Sequence, residues 1–166
     1  MITLQWKYIK YDIDLWTWKN SEFTINEEIP KHMAQTDDTD GNKNFVLKAT
    51  EKAIAHLKEL LDERINRVIG NATNKLTNTS EWEFELNEGN YLTDTSVLAS
   101  LMHAYVVKSI LTDWSKIFAP QHTATLYDEA GTLATDIVNA AYKKKMPTKK
   151  LRELCEDNDN VIVEAE

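Results

Sequence analysis

Apolar residues recur at helical spacing in three long stretches of the chain, and this pattern predicts three long helices. The first helix is expected at about 45–69 and ends at Gly70. The other two are expected at about 96–118 and 121–145, and they meet at Pro120. A proline is well tolerated in the first turn of a helix, so Pro120 marks the start of the third one.

The apolar face of the 96–118 helix changes sides along its length. Leu98, Leu101 and Tyr105 establish one face in the first half. The apolar residues of the last two turns depart from that face; they are Trp114, Ile117 and Phe118. Such a helix packs on different partners at its two ends. Either both partners belong to the same domain, or these three residues form an interface between subunits.

Strict alternation of apolar and polar residues predicts strands in two places. The first eighteen residues alternate and are rich in β-branched and aromatic side chains, which favours a small hairpin or meander. An amphipathic helix is the alternative for Tyr8 to Trp18. At 81–86, Trp82, Phe84 and Leu86 alternate with glutamates. The predicted fold class is therefore α+β, predominantly α-helical, with a small antiparallel sheet from the N-terminus and 81–86.

A polar, acidic stretch before the first predicted helix indicates a solvated loop at about 27–44. Its Asp-rich centre, followed by Gly41, suggests a calcium loop of the EF-hand type. With Gly41 at the sixth position, however, Thr36 takes the first ligand position and Leu47 the last, where a glutamate is needed. The calcium interpretation fails on these two positions, and whether 34–44 orders on assembly stays open.

Composition changes after Pro147, which divides the chain into a single domain at 1–150 and an acidic tail at 151–166. The tail has one apolar island, made of Val161, Ile162 and Val163. This island is either accidental or a strand that adds to the sheet edge of another subunit.

Overall composition narrows the possible functions. The chain has 166 residues, 42% of them hydrophobic, and a formal charge of −8. This size suits one domain with a real core. The negative charge argues against a general partner of nucleic acid or of anionic membranes. We expect no apolar run long enough to span a bilayer and no signal peptide. One cysteine, Cys155, excludes an internal disulfide and fits a reducing cytoplasm.

Enzyme chemistry has no recognisable signature in the sequence. The four histidines are scattered, without a His-Glu-x-x-His or Cys-x-x-Cys motif, and the four glycines form no phosphate-binding loop. We therefore expect no catalytic, metal-binding or cofactor-binding residues and no cofactor.

The two C-terminal helices resemble a known group of proteins. The resemblance lies in SVLASLMHAY at 96–105, LTDW at 111–114, LYDEA at 126–130 and AAYKKKMPT at 140–148. This pattern is similar to that of small virion proteins of tailed phages that infect Bacteroidetes. It consists of a helix with Ala-Tyr and a following Trp, and then a helix that ends in Tyr-basic-basic before Pro-Thr. The resemblance covers about Asp94 to Lys150.

This resemblance implies a helical connector or ring subunit at the head-tail junction, present in many copies around a symmetry axis. Its partners would be itself in a ring-like homo-oligomer and other virion proteins, such as the portal or a neighbouring ring. Its location would be the virion, assembled in the host cytoplasm. The expected interface residues are Trp114, Ile117, Phe118, Val161, Ile162 and Val163. The alternative function is a cytoplasmic helical regulator that binds another protein.

Overall fold

The computed structural model describes residues 1–21, 40–71, 75–87, 89 and 91–144. The described residues form four α-helices and one three-stranded antiparallel sheet, so the predicted α+β, predominantly helical class is confirmed. In chain order the elements are β1 (Ile2–Gln5), α1 (Trp6–Ser21), α2 (Asp40–Leu60), β2 (Ile65–Gly70), β3 (Glu81–Leu86), α3 (Thr95–Phe118) and α4 (Pro120–Ala141).

The sheet has the order β1-β3-β2, with β3 in the centre. Phe84 of β3 lies opposite Ile2 on one side and Val68 on the other. Its alternation sends Trp82 and Phe84 into the core while the glutamates between them stay at least partly exposed. The predicted strand at 81–86 is therefore confirmed, and it pairs with the N-terminus as expected.

The strand pattern at the N-terminus ends much sooner than predicted. Only Ile2–Gln5 is a strand, and Trp6–Ser21 is the helix α1, which was the alternative interpretation for Tyr8 to Trp18. The backbone N–H of Trp6 donates a hydrogen bond of 2.9 Å to the carbonyl oxygen of Ser80 just before β3. From there the buried residues are spaced by three and four along the chain, at Trp6, Ile9, Ile13 and Thr17.

The predicted helix at 45–69 is wrong in its last third. α2 begins at Asp40, inside the loop predicted at 27–44, so the predicted start at 45 is also wrong. The helix ends at Leu60 and is followed by one 3₁₀ turn, Asp62–Arg64. Ile65–Gly70 is the strand β2. The β-branched residues Ile65, Val68 and Ile69 suit a strand as well as a helix, and pairing with β3 decides between them.

The α3–α4 hairpin is close to its prediction, except that α4 ends at Ala141, before the predicted end at 145. Asp94 caps α3 by accepting hydrogen bonds from the backbone N–H groups of Ser96 and Val97, and Pro120 occupies the first turn of α4. α3 is the central helix, in contact with α1, α2, α4 and β1. It has ten buried residues, among them Leu98, Met102 and Ile110.

The expectation that no segment has the length of a membrane span needs correction. By length and composition alone, α3 is apolar enough to cross a bilayer, and it is the one such helix among the described residues. Core helices of folded domains pass the same test. In this fold many apolar side chains of α3 are buried against the elements around it, among them Leu98, Met102 and Ile110, whereas Val97 and Ile117 are exposed. The acidic tail at 151–166 lies outside the described residues.

Candidate functional site

The helix α1 is apolar on two opposite faces. Its inner face packs into the core. Its outer face exposes four large side chains at spacings of three, four and three residues: Tyr8 (57% exposed), Tyr11 (66%), Leu15 (39%) and Trp18 (60%). We call these four residues the α1 stripe. A helix that is apolar on both sides normally has a partner on each of them.

Charged side chains border the α1 stripe on both sides. Lys7 lies with its Nζ 4.7 Å from the centre of the Tyr8 ring, a cation–π contact. Asp12 accepts a hydrogen bond of 2.8 Å from Nε2 of His103 on α3. Asp14 pairs with Lys10 one turn earlier on the same helix. The stripe is therefore an aromatic strip with a polar border, which is the usual anatomy of a protein–protein contact.

A second feature is a groove between α2, α3 and α4 with a volume of about 490 Å³. Its α4 wall has three small residues, Ala130, Gly131 and Ala134, next to Tyr127, and Ala55 contributes from α2. A Cβ atom added to Gly131 would have nothing within 4 Å, so there is open space next to this helix. We call this feature the three-helix groove.

The polar groups at the α3 side of the groove are mutually bonded. The hydroxyl of Tyr105 is hydrogen-bonded to Nδ1 of His56 from α2. Burial raises the pKa of Tyr105 above its ordinary value, and the neighbouring charges of Asp113 and Glu59 act in the same direction. The phenol therefore stays neutral at physiological pH.

Asp113 holds two lysines at one end of the groove. Its carboxylate accepts hydrogen bonds from Lys52 at 3.0 Å and from Lys116 at 2.6 Å. Burial alone would raise the pKa of Asp113, but the hydrogen bonds from these two ammonium groups outweigh it and lower the pKa below its usual value. The groove thus combines small apolar walls with an ionised cluster.

The structure separates the three predicted interface residues of α3. Trp114 is 1% exposed and packs within its own chain, with its ring centre 5.8 Å from that of Trp16 and 5.2 Å from that of Phe118. It is a core residue and has no surface left for a partner. Ile117 is 55% exposed and Phe118 is half-buried, so a contact between subunits stays a prediction for these two.

The remaining predicted interface residues, Val161, Ile162 and Val163, lie outside the described residues. Among the residues that the structure describes, no three His, Cys, Asp or Glu side chains are grouped so that they could hold a metal ion.

Sequence reasoning missed both surfaces described above. The α1 stripe had a usable signal, because Tyr8, Tyr11, Leu15 and Trp18 share a helical face. The strand interpretation of the N-terminus concealed it. The three-helix groove had no such signal, because it exists only where three helices meet.

Comparison with known proteins gave no match to any family model, curated protein or solved structure.

Proposed function

We propose that this protein is a structural subunit that acts through protein–protein contacts, and that its assembly is a head-tail connector or neck ring of a phage virion. The observation that carries the proposal is the α1 stripe. Tyrosine and tryptophan are enriched at the centres of interfaces, where they supply much of the binding energy. Tyr11 and Trp18 present two such side chains, each more than half exposed, on one face of a rigid helix.

The choice of a phage ring rests on the resemblance of α3 and α4 to small virion proteins. α1 packs on this hairpin through Asp12 to His103 and Trp16 to Trp114 on α3, and through Trp16 to His122 on α4. In this view the helical hairpin is the common framework of the subunit. The aromatic face of α1 is the part that this chain adds for contact with its neighbours.

A regulator that binds a different protein is the second candidate, and the same face supports it. The two candidates differ in the partner. A ring subunit uses the α1 stripe to bind further copies of itself, whereas a regulator stays monomeric or dimeric until its target is present.

Sedimentation velocity of the full chain over a wide concentration range tests the proposal. We expect the wild type to form a closed oligomer, with rings visible in negative-stain electron micrographs. The Tyr11→Glu variant places a charge in the middle of the α1 stripe and should lower the association constant about 30-fold or more, the effect of losing one strong interface residue.

Leu92→Glu is the matched control for this variant. Leu92 is 55% exposed, close to the value for Tyr11, but it lies outside both α1 and the groove. Circular dichroism should be the same for both variants. A wild type that stays monomeric at every concentration would refute the ring subunit and leave the regulator.

A further inference from the structure

The α1 stripe and the three-helix groove lie on opposite sides of the subunit. On α3, His103 and Trp114 are among the residues that contact α1. The residues of α3 that line the groove include Tyr105 and Thr112. At roughly 100° per residue, positions 103 and 114 share one side of a helix and positions 105 and 112 share the opposite side. α1 therefore covers one side of α3, with its stripe facing outward, and the groove opens on the other.

We propose that the α1 stripe of one copy docks into the three-helix groove of a second copy, so that subunits join head to tail. This inference rests on the proposed function, since it names the surface that receives the stripe. The stripe is convex and aromatic, whereas the groove is concave and has small residues on its α4 wall. The open space beside Gly131 is where an aromatic side chain of the neighbour would fit.

The charges at the borders of the two surfaces favour this contact. The side chains of Lys52 and Lys116 at the groove are 68% and 53% exposed. Both lysines share the single carboxylate of Asp113, so each has hydrogen-bonding capacity left over. Asp12 at the border of the α1 stripe is 46% exposed and offers a carboxylate of the opposite sign.

The same contact contains a second set of opposite charges with the signs exchanged, cations beside the stripe and an anion at the groove. Lys7 and Lys19 are exposed beside the α1 stripe, and Glu59 is exposed at the groove. Borders that carry both signs fix one register, because a shifted register brings like charges together.

A head-to-tail contact has a consequence for the assembly. The two contacting surfaces are different, so a pair of bound subunits still has one α1 stripe and one groove to which further subunits can add. Such contacts close into a ring when the rotation between neighbours divides a full turn. Pairing of one α1 stripe with another α1 stripe would instead stop at two copies.

A mixing experiment tests the inference on the full-length chain. The stripe variant is Tyr11→Glu, and the groove variant is Gly131→Trp. The groove variant fills the space beside α4, and replacing a helical glycine also removes a residue of low helix propensity, so the fold is retained. Gly131→Ala is its control, because a methyl group leaves the groove open.

Sedimentation velocity should show that each variant alone is monomeric, with an association constant lowered about 30-fold or more. Gly131→Ala should assemble as the wild type does. An equimolar mixture of the two variants should give a 1:1 complex and nothing larger. In that complex the intact stripe of the groove variant occupies the intact groove of the stripe variant.

Two results would overturn the inference, and they have different meanings. If Gly131→Trp assembles like the wild type while Tyr11→Glu does not, the α1 stripe binds elsewhere, and the proposed function stands without the groove. If the wild type itself never assembles, the proposed function and this inference fail together. Circular dichroism of each variant excludes unfolding as the cause of lost association.

Discussion

Arg64 donates a hydrogen bond of 2.9 Å from its Nε to the carbonyl oxygen of Ala141, the last residue of α4. The same guanidinium also donates to the carbonyl oxygen of Asn87 and to the hydroxyl of Thr93, and it lies 3.8 Å from the centre of the Tyr91 ring. Arg64 is 2% exposed. One buried cation therefore joins the turn before β2, the segment before α3 and the end of α4.

Replacing Arg64 by methionine should lower the free energy of unfolding by about 3 kcal/mol or more. The variant removes the hydrogen bonds of the guanidinium to Ala141, Asn87 and Thr93, and hydrogen bonds to a charged group are worth about 1.5–3 kcal/mol each. Urea unfolding followed by circular dichroism measures the loss. Arg67→Met is the control, since Arg67 is exposed on β2 and should change stability by only about 0.5 kcal/mol. Equal losses in both variants would contradict this role of Arg64.

Trp114→Ala should destabilise the fold itself. Removing a fully buried tryptophan costs about 3–5 kcal/mol, because the cavity left behind closes only in part. Differential scanning calorimetry at a concentration where the chain is monomeric measures this loss without any contribution from assembly. An unchanged unfolding temperature would show that Trp114 is not packed as described.

The Ile117→Ala variant distinguishes an effect on the stability of the fold from an effect on assembly. Ile117 is 55% exposed, so its truncation should change the free energy of unfolding by about 0.5 kcal/mol or less. If Ile117 contacts a neighbouring subunit, the same variant should lower the association constant in sedimentation velocity. An association constant equal to that of the wild type would exclude Ile117 from the interface.

The cap of α3 makes stability depend on pH. Hydrogen bonds from the side chain of Ser96 and from the backbone N–H groups of Val97 and Ser96 lower the pKa of Asp94. The folded state therefore favours the ionised carboxylate, so this stabilisation is present above the pKa of the unfolded chain, about 3.9, and is lost as the pH falls through the lower folded value. Asp94→Asn keeps an acceptor but does not titrate.

The measurement is thermal unfolding of both proteins between pH 6 and pH 2. The wild type should be the more stable of the two at pH 6, and its advantage should shrink towards pH 2. A difference that stays constant over this range would show that the ionised form of Asp94 has no special role.

The sequence predicted the parts of the fold whose signals are local and agree with one another. For α3 and the start of α4, apolar periodicity and Pro120 point to the observed boundaries. For β3, strict alternation of Trp82 and Phe84 with glutamates leaves no helical alternative.

The errors arose where a local pattern suits two structures. Ile65 and Val68 continue the helical spacing of α2, yet pairing with β3 and the buried side chain of Arg64 make that segment a strand. At the N-terminus, Ile2 and Leu4 do lie in a strand, but this strand ends at Gln5 and the helix α1 begins at Trp6. The groove had to be missed, because its walls are brought together only by packing of α2, α3 and α4.

The most direct test of assembly through the α1 stripe is hydroxyl-radical footprinting with mass spectrometry, on the wild type at high and low concentration. The account predicts that oxidation of Tyr8, Tyr11 and Trp18 slows strongly in the assembled sample, while oxidation of Leu92 stays constant. Equal oxidation of the stripe residues in the assembled and the dilute samples would contradict the central claim that this face binds the neighbouring subunit.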